Sequence, residues 1–69
     1  MFYLVIIQKF NNGAENAKAI YEYETPENAM IALYSTMASS MSDPTIASVA
    51  CIIMNDRGVS LKQDRWDRK

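Results

Sequence analysis

The sequence contains no histidine, one cysteine, two glycines and two prolines among its 69 residues. Each shortage excludes something. Without histidine the chain lacks the usual general base at neutral pH and the commonest metal ligand, so serine-type triads and zinc sites lose their ordinary members. The single cysteine, Cys51, excludes an intrachain disulfide. It lies within Val49-Ala50-Cys51-Ile52-Ile53 with no neighbouring cation, the setting of a buried inert thiol rather than an activated nucleophile. Gly13 and Gly58 are isolated turn residues, so there is no glycine-rich phosphate loop. No apolar run approaches the length that spans a bilayer, and no basic segment precedes a cleavable apolar one. The expectation is a soluble cytoplasmic protein with no membrane partner, no metal and no cofactor.

What is present is the composition of a folded chain, with 49% hydrophobic and 22% charged residues. A chain of this length makes one domain, 1–69, whose core supplies only a few kcal/mol unless self-association helps. The net charge of -1 hides an asymmetry. Residues 1–56 carry Lys9 and Lys18 against six acids, a net of -4, while residues 57–69 carry five basic residues against Asp64 and Asp67, a net of +3. A basic end on an acidic body can meet an anionic ligand or the acidic body of a neighbouring copy. Binding of nucleic acid is not expected, because the only basic segment is interleaved with two aspartates on an acidic protein.

Phe2 to Phe10 is rich in β-branched and aromatic residues and apolar on both alternating faces, with Phe2, Leu4, Ile6 and Phe10 opposite Tyr3, Val5 and Ile7. Such a strand belongs inside a sheet covered on both sides. A polar loop follows, and Lys18 to Glu24 alternates as an edge strand, with Ala19, Tyr21 and Tyr23 opposite Lys18, Glu22 and Glu24 and only Ile20 breaking the pattern. Thr25-Pro26-Glu27 predicts a helix starting at Pro26, with a capping hydroxyl, a proline at the first position and an acid against the dipole. Met30, Leu33, Tyr34, Met37 and Met41 suggest its apolar stripe, and Pro44 predicts its end near Ser42. Thr45 to Asn55 is a second strand apolar on both faces, with Ile46, Ala50, Ile52 and Met54 on one of them. Asn55-Asp56-Arg57-Gly58 is a turn, and a fourth strand runs from Val59 to about Asp64, with fraying after Arg65.

The order is ββαββ. Placing the two most apolar strands centrally gives an α+β fold, a four-stranded antiparallel sheet of order 2-1-3-4 with the helix on one face. The other face then exposes three or four bulky side chains, each forgoing roughly 1.5 to 3 kcal/mol of burial. Self-association through that face, a homodimer or higher homo-oligomer, is the expectation.

No catalytic residue is predicted. Glu22 and Glu24 share one side of a strand, which is weak ground for acid–base or cation chemistry and is better read as a charged edge. Tyr21 and Tyr23, with Tyr3 and Tyr34 expected nearby, offer rings that stack on a base or sugar. Trp66 is expected to anchor the tail, and Arg65 and Arg68 to offer forked donors to phosphate. These five residues, Tyr21, Tyr23, Arg65, Trp66 and Arg68, form the candidate ligand site.

The segments MFYLVIIQKF, YEYETPENAM, ALYSTMASSM and IASVACIIMNDRG, running towards a terminal tryptophan, resemble a family of short uncharacterised bacterial and bacteriophage ββαββ proteins with no established function. By analogy with phage accessory proteins of this size, the resemblance implies binding rather than catalysis. One form is a homo-oligomer sequestering a small anionic, nucleotide-like ligand between subunits. The alternative is an interaction module or inhibitor docking on a host protein, and a small enzyme using a shared carboxylate site is the third reading.

Overall fold

The computed structural model describes residues 1–68. The two apolar strands, β1 (Phe2–Phe10) and β3 (Ile46–Asn55), lie side by side in the centre of an antiparallel sheet. Strand β2 (Ala17–Tyr23) flanks β1, and β4 (Ser60–Asp67) flanks β3, so the order is β2-β1-β3-β4, as expected. Helix α1 (Pro26–Ser42) lies across one face.

The loops are built from residues suited to them. At the β3–β4 turn the Asn55 carboxamide oxygen accepts from the amides of Arg57 and Val59 at 2.9 and 3.0 Å. Gly58 takes the left-handed conformation there, at φ 80°, where a side chain would be strained. At the start of α1 the Thr25 hydroxyl accepts from the Asn28 amide at 3.2 Å. The helix stops at Asp43, whose backbone is extended ahead of Pro44.

Leu33 and Met37 of the expected helix stripe face the core, but Met30, Tyr34 and Met41 do not. Ala29, Leu33, Met37 and Ser40 are buried, whereas Met30, Tyr34 and Met41 are 37%, 54% and 45% exposed. Positions 29, 33, 37 and 40 repeat at helical spacing, and small residues at both ends of the stripe let the helix lie close to the sheet. Ser40 is tolerated there because its hydroxyl donates to the Thr36 carbonyl at 2.8 Å and accepts from Gln8 Nε2 at 3.1 Å. Leu4, Ile53, Val49 and Cys51 meet this stripe from the sheet.

Two further expectations are corrected. Ile46 does not share exposure with Ala50, Ile52 and Met54, because the β1–β3 register shifts between Lys9 and Phe10 and leaves Ile46 opposite Phe10, 5% exposed. Strand β4 does not end at Asp64 and fray after Arg65. It continues to Asp67, with Trp66 paired opposite Val49 and packed against the core and the Arg68 amide donating to the Ala47 carbonyl at 2.8 Å. Lys69 lies outside the described residues. Among the described residues no helix is long and apolar enough to cross a membrane.

Candidate functional site

Pleating sorts the candidate residues onto two faces. Tyr21 pairs with Leu4 and Tyr23 with Phe2, so both tyrosines stand on the helix side of edge strand β2. Trp66, opposite Val49, stands on the same side of β4, the other edge. Three strand spacings separate the two edges, about 14 Å, and the register adds a similar distance along the strands. Arg65, opposite Ala50, points to the open face. One subunit therefore brings Tyr21 next to Tyr23 and Trp66 next to Arg68, but does not join the two pairs, and it leaves Arg65 on the other side.

The wider aromatic cluster does not assemble either. Tyr3 pairs with Glu22 and Met54 on the open face. Tyr34 faces β4, where Lys62 Nζ lies 5.3 Å from its ring centroid.

Among the described residues, Lys62, Arg65 and Arg68 of the C-terminal segment are engaged within the chain. Arg65 makes a two-pronged contact with Asp67, 2.9 Å from Nε to Oδ2 and 2.9 Å from Nη2 to Oδ1. That pairing raises the guanidinium pKa and lowers the carboxyl pKa. The interaction with Tyr34 raises the pKa of Lys62. Arg68 stacks on Trp66, 4.7 Å from the ring centroid, and donates through Nε to the Ile46 carbonyl at 2.9 Å and through Nη2 to the Asp43 carbonyl at 2.8 Å. Weaker contacts reach Met41 and Ser40 carbonyls at 3.3 and 3.5 Å. The guanidinium thus closes the C-terminal end of α1, whose last turn holds no basic residue of its own.

Beside Tyr21 and Tyr23, between β2 and α1, an open groove of about 400 Å³ runs over Leu4 and Ile6. Its polar wall comes from Gln8, Ser35, Thr36 and Ser39, none of them among the five residues of the candidate ligand site. Gln8 carried a signal, as the one polar interruption in the inward series Phe2, Leu4, Ile6. The groove exists because the helix sits over β1 and β3 and leaves β2 partly uncovered. It offers hydroxyl and amide groups, and among the described residues no charged side chain lines it.

The centre of the open face is apolar. In three successive rows Tyr3 lies beside Met54, Val5 between Ile20 and Ile52, and Ile7 beside Ala50. Ile20 is 68% exposed and Ile7 38%. Charges sit at the margins, Lys18 and Glu22 on β2 and Arg65 and Asp67 on β4.

Cys51 is fully buried beneath the helix, its thiol 3.8 Å from Met37 Sδ, and burial followed by the Asp64 charge pushes its pKa up. Among the described residues no group of three acidic or cysteine side chains is placed to hold a metal ion. Neither a family model, nor a curated protein, nor a solved structure matches the chain.

Proposed function

We propose that the chain is a cytoplasmic, non-enzymatic homo-oligomeric binding protein that associates through the open sheet face and holds a small ligand in the groove beside Tyr21 and Tyr23. The observation that carries this reading is the uncovered apolar centre of the sheet, with Ile20 68% exposed on a central row. In a domain of this size that burial is a large part of the available stabilisation, and a second copy supplies it. The non-enzymatic part is supported by the lack of histidine and by a thiol that burial makes inert.

The groove suits a neutral ligand with hydroxyls or a planar ring, stacking on Tyr21 and bonding to Gln8 and the serines. A phosphate needs a cation that one subunit does not bring there, so an anionic, nucleotide-like ligand depends on a basic residue from a neighbouring copy. The host-protein alternative uses the same open face. Light scattering on the purified full chain, with native mass spectrometry of the same sample, tests the proposal. The expected result is a concentration-dependent oligomer. A monomer at every concentration, combined with no thermal shift from a nucleoside or its monophosphate, overturns it.

A further inference from the structure

We infer that two copies pack open face to open face about a two-fold axis that crosses the strands along the Ile20–Val5–Ile52 row, so that Lys18 of each copy meets the partner's Glu22. The inference rests on the homo-oligomeric reading above and specifies its geometry. Val5 pairs with Ile20 on one side and Ile52 on the other, so these three side chains form one row of the open face. On β2 that row is bracketed by Lys18, opposite Ile7, and Glu22, opposite Tyr3. Each stands about 6.8 Å from Ile20 along the strand.

A two-fold axis along this row exchanges the rows above and below it. Ile20, Val5 and Ile52 then meet their own copies, Tyr3 meets Ile7, and Lys18 meets Glu22 twice. The other simple arrangements are worse. An axis parallel to the strands between β1 and β3 sets Lys18 against the partner's Arg65, a like-charge contact made twice, since both residues occupy the Ile7–Ala50 row. An axis shifted by half a row sets Ile20 against the partner's Lys18, apolar surface against a charge. The chosen register also keeps the strands of the two sheets nearly aligned, the usual arrangement for stacked sheets.

The size fits a weak dimer. Four strands about 4.8 Å apart and the three rows that this axis superposes, about 6.8 Å apart, give roughly 400 Å² per copy. The total of roughly 800 Å² lies in the small class of weak, transient interfaces, which matches a concentration-dependent oligomer. An interface of this area, apolar at its centre and charged at its rim, sets its register by electrostatics.

The test is a charge swap read by sedimentation equilibrium on the full chain. Lys18→Glu alone and Glu22→Lys alone each juxtapose like charges twice per dimer and are expected to weaken dimerisation at least ~10-fold. The double variant Lys18→Glu/Glu22→Lys is expected to return to within ~3-fold of the parent, because the pairs are restored with signs exchanged. Both residues are exposed, and far-UV circular dichroism checks that each variant folds. A parent that dimerises while the single variants dimerise equally well, or a double variant as weak as the singles, overturns this register and leaves the homo-oligomer standing. A parent that stays monomeric overturns both.

Discussion

Replacing Arg68 by alanine removes a guanidinium that reaches the C-terminal end of α1 from the far end of the chain. The side chain makes two short hydrogen bonds, to the carbonyls of Ile46 at 2.9 Å and Asp43 at 2.8 Å, and stacks on Trp66 at 4.7 Å. Arg68 itself is exposed to solvent, and each of its hydrogen bonds is counted at the low end of the ordinary range, about 0.5 kcal/mol. A cation at a helix C-terminus adds about 0.5 kcal/mol. An exposed cation–π contact adds about 0.5 kcal/mol more. The expected loss is therefore about 2 kcal/mol. For a domain of this length each kcal/mol moves Tm by roughly 4–8 °C, so Arg68→Ala is expected to melt roughly 8–16 °C lower. Thermal and urea unfolding followed by far-UV circular dichroism, at one protein concentration and with the m-value unchanged, measures it. Arg68→Lys keeps the charge but not the planar fork and recovers less than half of the loss. A drop below about 3 °C for Arg68→Ala, or an Arg68→Lys protein as stable as the parent, refutes the reasoning and returns Arg68 to the ligand-binding role expected from the sequence.

Two other outcomes follow from buried and hydrogen-bonded groups. Cys51 in the folded protein is expected to react with a thiol reagent only as fast as the domain opens, with full reactivity in denaturant, and rapid labelling of the native protein would contradict its burial. Asp43 accepts from the Thr45 hydroxyl at 2.7 Å and amide at 3.0 Å, which holds its pKa below the ordinary 3.8. A lowered folded pKa stabilises above the unfolded value and is lost as pH falls through the folded one, so Tm is expected to decline below about pH 4. Asp43→Asn should flatten that decline only in part, since Asp67 beside Arg65 is shifted the same way. An unchanged slope in Asp43→Asn excludes Asp43 as a source.

Much of the fold was legible because local rules and global packing agree. Thr25-Pro26 marks the helix start, Pro44 its end, and Gly58 a turn that needs a left-handed backbone. The two strands apolar on both faces belong in the centre because each needs cover on both sides, and the charged strand β2 belongs at an edge for an equally local reason. The helix stripe was misread because hydrophobicity ranks methionine and tyrosine above alanine and serine, while close packing of helix on sheet favours small residues where the backbones approach. Leu33 and Met37 belong to both rows, and spacing alone cannot choose between completing them with Met30, Tyr34 and Met41 or with Ala29 and Ser40.

The candidate site divides along the same line. Alternation in the sequence assigns Tyr21 and Tyr23 to one face of an edge strand, and composition alone supplies the lack of histidine and the paucity of free basic charge. Only the tertiary structure decided that Trp66 stands on the opposite edge from those tyrosines, that Arg65 points to the other face, and that Arg68 turns inward to the end of a helix more than twenty residues away in sequence. The reason is physical. Strand order and register are set by burial summed over the whole sheet, and a long polar side chain such as Arg68 goes to whichever unsatisfied carbonyls that assembly happens to place within its reach.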